Sequence, residues 1–263
     1  MNVILLAAGF GTRLLPLTEF LPKCMMPIHD KPLLLYWLKI FDDKNIDKIV
    51  INTHYLSEMV VKFLSSGGFI ERYQITVDYE ETLLLTGGTI LKNKSICSDD
   101  GTIVAHADNL TSFNLNDFMQ AHANKPSNCV ITMMTFITDE PKNCGVVELN
   151  SKGIVTSFHE KVSNPPTNLA NGAVYIIDSE VLDFMESLNK DVIDFSNEVL
   201  PNFINRIFTY ENKDIHIDIG TCNRYRSAIK SYVYNSPKDN VDWDYIAGED
   251  DFLRNFQKKI NLC

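Results

Sequence analysis

Apolar and polar positions along this chain follow two periods that alternate. The run Val3 to Ala8 is apolar throughout, reads as a buried strand, and breaks at Gly9. Asp30 and Pro32 then read as an N-cap and an early-turn proline for a helix through LLLYWLKIF. KIVINTHY is predicted as a second strand, SEMVVKFL as an amphipathic helix and YQITVDYE as a third strand. A short helix is expected after Thr86, Gly87 and Gly88, and TIVAHADNL reads as a fourth, buried strand. Strands separated by helix-length segments require right-handed crossovers and a parallel sheet covered on both faces. The first half is therefore expected to be a doubly wound α/β unit.

The second half is richer in strands. CVITMMTFIT is followed by GVVELNSKGIVTSFHEK, a hairpin expected to turn about Asn150 to Gly153, and then by NGAVYIID. Helices are predicted near Val181 to Leu188 and Asn197 to Phe203, followed by the strand IHIDIG and a helix from Cys222. No linker or low-complexity stretch appears before about Ser236, so the core is not cut into independent domains. In the tail, Phe252, Phe256 and Ile260 have helical spacing, and a helix packed on its own subunit is expected in preference to an interface helix.

The break after the first strand carries the chemistry. Gly9 and Gly11 allow backbone N–H groups to approach a phosphate, while Arg13 and Lys23 supply charge that glycines cannot. A Rossmann fingerprint would need a third glycine where Leu14 stands, and no helix runs smoothly through Pro16 and Pro22. No Gly-Lys-Ser/Thr follows, so the P-loop form fails too. The full stretch LAAGFGTRLLPLTEFLPK, Leu6 to Lys23, resembles the signature of the sugar-1-phosphate nucleotidyltransferases.

That resemblance covers roughly residues 1 to 233 and implies an α/β fold: a Rossmann-like, doubly wound, mostly parallel mixed sheet with helices on both faces. It implies one domain over residues 1–234, with a nucleotide half to about 125 and a sugar-binding half from about 126, and a tail over 235–263. Nucleotide contacts are expected from Leu6, Ala8, Gly9, Gly11, Thr12, Glu81, Thr86, Gly87 and Gly88. Catalysis is assigned to Arg13, on the β- and γ-phosphates, and to Lys23, on the α-phosphate. Glu160, Lys161, Asn171 and Gly172 match the contacts to the sugar and its phosphate, and Asp108 and Asp218 match the aspartates that hold Mg²⁺.

Each match has a local alternative. Asp108 before Asn109 could cap a turn, Glu160 and Lys161 could be a solvated strand end, and Thr86 to Gly88 could be only a helix start. Asp218 stands between isoleucines, where a carboxylate needs a metal or an internal cation. His54, His106, His159 and His216 lack metal-ligand spacing and read as core or surface residues. Ala107 where the family has glycine, His216 where many members have an aromatic residue, and Cys24 where proline or glutamine is usual are departures that bear on specificity.

Composition narrows the partners. A formal net charge of −10 repels anionic substrates, so binding must rest on local cations and a metal. No Lys/Arg stripe suggests nucleic acid, and no stretch reaches the length of a membrane span. The opening MNVILLAAGF lacks the basic region of a signal peptide. Cys24, Cys97, Cys129, Cys144, Cys222 and Cys263 contain no C-x-x-C pair and are expected to be reduced thiols of a cytoplasmic protein. The expected partners are a nucleoside triphosphate and a sugar-1-phosphate, with a homo-oligomer left open. GTP with mannose- or manno-heptose-1-phosphate is the leading pair. Uridylyl, thymidylyl or cytidylyl transfer to another phospho-compound, and a non-catalytic sensor of nucleotide-sugars, are the alternatives.

Overall fold

A computed structural model describes residues 1–98, 100–232 and 237–262. Along the first half run β1 (Asn2–Leu6), β2 (Pro27–Ile28), β3 (Lys31–Pro32), α1 (Leu33–Ile40), β4 (Lys48–Thr53), α2 (Ser57–Ser66), α3 (Phe69–Arg72), β5 (Ile75–Tyr79), α4 (Leu85–Lys92), β6 (Thr102–His106), β7 (Asn109–Thr111) and α5 (Leu115–Ala123). The second half adds β8 (Ile131–Ile137), β9 (Gly145–Leu149), β10 (Val155–Glu160), β11 (Leu169–Ile177), α6 (Ser179–Ser187), β12 (Ile207–Glu211), β13 (His216–Asp218), α7 (Cys222–Ser231), α8 (Trp243–Ala247) and α9 (Phe252–Leu262). The doubly wound mixed α/β fold expected from the sequence is the one observed.

Contacts group the chain into two compact units: unit 1 comprises Met1–Ile4, Leu84–Ala105 and Ser112–His216, and unit 2 comprises Leu5–Leu83, His106–Thr111 and Ile217–Cys263. In unit 2, β4 and β5 are parallel neighbours, and the last two residues of β1 belong to the same unit. β1 and β4 are buried because they are apolar on both faces: Leu5, Ile49, Val50 and Ile51 are all buried, each worth about 1.5–3 kcal/mol of transfer free energy. In α2, Val60, Phe63 and Leu64 form the inward stripe at i, i+3 and i+4.

Unit 1 is built around β11, which pairs antiparallel with β6, β8 and β9, while β10 extends the antiparallel set through β9. β12 was not anticipated from the sequence; it runs parallel to β8 from Ile207 opposite Ile131 to Glu211 opposite Thr135. Only Ile207 of this strand is buried, so its apolar alternation is weak.

Three local readings are corrected. Asp30 does not cap α1: Pro32 precedes the helix, the Leu33 N–H donates to the Met26 carbonyl at 3.0 Å, and Asp30 pairs instead with Lys31 at 2.7 Å. The helix predicted near Asn197 to Phe203 is a wide π-type turn, Phe195–Val199, followed by a tight 3₁₀ turn, Leu200–Phe203, because Pro201 brings no donor to a regular helix. Cys222 is disulfide-bonded, contrary to the expected reduced thiols, and a disulfide requires a suitable Cα and Cβ geometry rather than a C-x-x-C spacing. Cys24, Cys97, Cys129 and Cys144 are free, whereas Cys263 and the boundary at 234/235 lie outside the described residues.

The tail is helical and belongs to unit 2. Phe252, Phe256 and Ile260 are buried, and the Trp243 indole N–H donates to the Asp30 carbonyl at 2.8 Å. Among the described residues, no helix is long and apolar enough to cross a membrane.

Candidate active site

The end of β1 is held by a buried polar relay. The Ala7 N–H donates to Asn52 Oδ1 at 2.7 Å, and Asn52 Nδ2 donates to Glu80 Oε1 at 3.0 Å. Asn52 and Glu80 are both buried, so each needs the other. From this fixed point Ala8 stays buried while Gly9 opens to solvent. Gly11 has φ +63°, and a Cβ there would lie 2.8 Å from Thr18 Cγ2 and 3.2 Å from Lys23 Cβ. Thr12–Leu14, Leu17–Glu19 and Lys23–Met25 form three 3₁₀ turns. Leu14, Leu17 and Leu21 are buried, and they fold the loop back over itself.

That path delivers Lys23 to a point between two carboxylates. Lys23 Nζ is 2.9 Å from Asp108 Oδ2 and 2.9 Å from Asp218 Oδ1, although the three residues are 85 and 195 positions apart. Burial works against the Lys23 ammonium, but Asp108 and Asp218 outweigh it and raise its pKa. Burial likewise works against the Asp108 carboxylate, yet Lys23 and then His106 hold it down to about 2. Burial, followed by the Asp108 charge, pushes the adjacent Cys24 thiol up to about 12. Arg13 NH2 lies 3.6 Å from Asp218 Oδ2, its side chain 66% exposed. The Gly220 N–H donates to Asp218 Oδ1 at 2.8 Å, and a Cβ on Gly220 would come within 3.0 Å of both the carboxylate and Arg13.

Unit 1 carries Thr86, Gly87, Gly88, Glu160, Lys161, Asn171 and Gly172. Thr86, Gly87 and Gly88 form the first turn of α4, and the Gly87 N–H donates to the Ile193 carbonyl at 2.9 Å. Glu160 ends β10, with Lys161 directly after it in a left-handed conformation, φ 48°. Lys161 Nζ is 2.9 Å from Glu160 Oε1. Asn171 and Gly172 lie in an irregularity of β11, where the Ala173 N–H donates to Asn171 Oδ1 at 2.9 Å and Asn171 Nδ2 donates to Tyr175 Oη at 2.7 Å. Burial drives the Tyr175 phenol well above its ordinary pKa, keeping it neutral, and the Glu160 charge adds to the effect. His216 packs against Phe136 with tilted rings, 4.4 Å between centroids, and lies 3.5 Å from the position of a Gly172 Cβ.

Thus Arg13, Lys23, Asp108 and Asp218 converge in unit 2, and Glu160, Lys161, Asn171 and Gly172 occupy neighbouring strand ends and turns of unit 1. Glu81 joins neither group: it is exposed, and its neighbour Glu80 turns inward. Asn52, Glu80, Tyr175 and Gly220 are not among the residues singled out in the sequence. An asparagine inside the apolar run KIVINT was the one available signal, since a buried strand tolerates such a residue only with a partner.

The donor set in unit 2 fits a hard divalent cation. Two carboxylates already share one positive charge, so a cation is accommodated at their meeting point. Among the described residues no third His, Cys, Asp or Glu completes a metal cage. A Mg²⁺ ion held there would draw its other ligands from phosphate and water oxygens, which is that ion's usual preference.

Comparison with known proteins gives a consistent result. The sequence model of a family described as nucleotidyl transferase matches residues 2–234. A UTP–glucose-1-phosphate uridylyltransferase of Synechocystis is 26% identical over 91% of this chain, and a mannose-1-phosphate guanyltransferase of Schizosaccharomyces pombe is 27% identical over 89%. The chain spans 65% and 64% of the lengths of these two relatives. The crystal structure of HddC from Yersinia pseudotuberculosis complexed with GMP-PN superposes with a TM-score of 0.73 at 23% identity, covering 88% of this chain and 99% of that one, and shares the fold.

Proposed function

This chain belongs to the nucleotidyl transferase family, and from that premise we propose that it joins a nucleoside triphosphate to a sugar-1-phosphate, releasing pyrophosphate. The observation that carries the reading is the placement of Lys23 between Asp108 and Asp218, beside a glycine loop and the exposed Arg13. GTP is the proposed nucleotide and mannose- or manno-heptose-1-phosphate the proposed acceptor. The guanylyltransferase among the relatives and the PLT-x-x-x-PK arrangement of the loop favour that pair.

The acceptor phosphate is already an anion near neutral pH, so no general base is needed. Its oxygen attacks the α-phosphorus in line. One new P–O bond forms, the bond to the bridging oxygen of the β-phosphate breaks, and pyrophosphate leaves with the electron pair. The barrier is repulsion between polyanions, and positioned charge lowers it. Gly9, Gly11 and Thr12 offer backbone N–H groups to the triphosphate, and Arg13 stabilises the β- and γ-phosphates as charge builds on the leaving group. Lys23 exchanges a carboxylate for the α-phosphate. Thr86 to Gly88 contact base and ribose, Lys161 holds the phosphate of the acceptor, and Glu160, Asn171 and Gly172 contact the sugar. Asp108 and Asp218 would hold Mg²⁺, which when bound would supply charge neutralisation to the triphosphate.

Pyrophosphate release is the test, measured with Mg²⁺ and a matrix of ATP, CTP, GTP, UTP and dTTP against several sugar-1-phosphates, with phosphocholine as a non-sugar control. Turnover with a sugar-1-phosphate and a preference for GTP is the expected outcome. Preference for another base corrects the substrate. Tight binding of nucleotide-sugars with no pyrophosphate from any pair replaces the enzyme with a sensor.

A further inference from the structure

Leu85 combines two properties that rarely occur together. Its backbone is left-handed, φ 61°, a conformation that costs free energy for a branched, bulky side chain and none for glycine. The residue is nevertheless 48% exposed, so burial in a core does not repay that strain. A single exposed leucine needs no explanation, and an isolated left-handed residue can belong to a turn. A strained leucine whose apolar side chain is left in water does need one, because glycine or asparagine would serve the backbone better.

The strain is held by a defined clamp. On one side of Leu85, the Ile193 N–H donates to the Leu84 carbonyl at 3.1 Å; on the other, the Gly87 N–H donates to the Ile193 carbonyl at 2.9 Å. Ile193 is itself fully buried, so the two bonds pin Leu84 and Gly87 to one fixed residue and leave Leu85 projecting from the bracket. Backbone strain sustained in this way is characteristic of ligand clamps. The residue directly after it, Thr86, opens the turn assigned above to base and ribose, and the inference rests on that assignment.

We infer that Leu85 is a specificity-determining residue whose exposed side chain packs against the face of the nucleobase. An apolar side chain gains by covering an aromatic ring face that would otherwise meet water. It contributes no hydrogen bond, so it selects on ring size and position while Thr86 and nearby backbone groups meet the ring edge. The left-handed backbone is what aims the side chain outward from a turn that is otherwise fastened to Ile193.

The test uses the full chain and four proteins: the wild type, Leu85→Gly, Leu85→Asn and Leu85→Met. Direct binding of GTP, ATP, UTP, CTP and dTTP is titrated without any sugar-1-phosphate, and KM and kcat are then measured for the triphosphate. Gly and Asn both suit a left-handed backbone, so both variants should fold with an unchanged or higher melting temperature. They should weaken binding of the preferred triphosphate about tenfold, an effect of the size expected for one apolar contact. KM should rise with kcat little changed, and the preference among bases should narrow. Leu85→Met should retain wild-type affinity. Unchanged affinity and base preference in both Gly and Asn variants, with the wild type binding normally, would overturn the role of Leu85 and leave the proposed reaction standing. A wild type that binds no triphosphate removes both.

Discussion

Lys23 in unit 2 and Lys125 in unit 1 are both held by carboxylates: Lys23 by Asp108 and Asp218 at 2.9 Å each, and Lys125 by Asp178 at 3.1 Å. Their surroundings differ. Asp178 gives one oxygen to Lys125 and the other to His122 Nε2 at 3.0 Å, and His122 Nδ1 bonds Thr132 Oγ1 at 2.9 Å, so the cluster closes on itself. Asp108 lies just after β6 and Asp218 ends β13; they keep 36% and 34% of their side chains exposed, and Asp218 stands beside Arg13. A lysine paired with carboxylates is therefore not by itself a site. Access to the carboxylates, together with a loop of open backbone donors, is what distinguishes the cluster in unit 2.

Neutralising either accessible carboxylate should have the largest effect. Asp108→Asn and Asp218→Asn should each lower turnover by about 10³-fold or more and raise the Mg²⁺ needed for half activity, with melting temperature little changed. An Asp218→Asn protein with normal turnover and metal dependence, or one that unfolds, would make Asp218 a structural residue like Asp178. Arg13→Ala should come next, lowering kcat by about 10²–10³-fold with folding intact, because its contact matters most as pyrophosphate departs.

Smaller effects sharpen the division between the units. Lys161→Ala should raise KM for the sugar-1-phosphate about tenfold, roughly 1.4 kcal/mol, while triphosphate affinity measured by titration stays as in the wild type. Equal effects on both substrates would show that Lys161 is misassigned.

Asp178→Asn should leave kcat and KM unchanged and lower unfolding stability by about 1–3 kcal/mol near neutral pH. Burial works against the Asp178 carboxylate, but its bonds to His122 and Lys125 win, and its folded pKa lies below the ordinary 3.8. Its contribution is therefore complete above that value and is lost as pH falls through the folded pKa, so denaturant unfolding of wild type and variant should converge in acid. A constant difference at every pH would mean that the charge of Asp178 is not what stabilises unit 1.

Local patterns were enough for most elements. The apolar run of β1 and the i, i+3, i+4 stripe of α2 declare their own periods, and both appear as predicted. β12 did not, because only one of its residues is buried and its place depends on β8, some seventy positions earlier. Glu81 was singled out over Glu80 for the same reason: two adjacent glutamates look alike until Asn52 selects one of them.

The linear chain already holds the inventory: a glycine loop with Arg13 and Lys23, two aspartates at the ends of predicted strands, and a Glu-Lys pair and an Asn-Gly pair in a strand-rich second half. The strands and helices are legible because periodicity is a property of neighbouring residues, and the site residues because short stretches around them resemble the family signature. Tertiary structure alone decided that Lys23 bridges Asp108 and Asp218, that Tyr175 positions Asn171, and that Leu85 is left-handed and exposed. Each of these depends on groups brought together by the path of the chain, and the free energies that enforce them, burial of an ammonium, satisfaction of a buried amide and backbone strain held by Ile193, have no local signature.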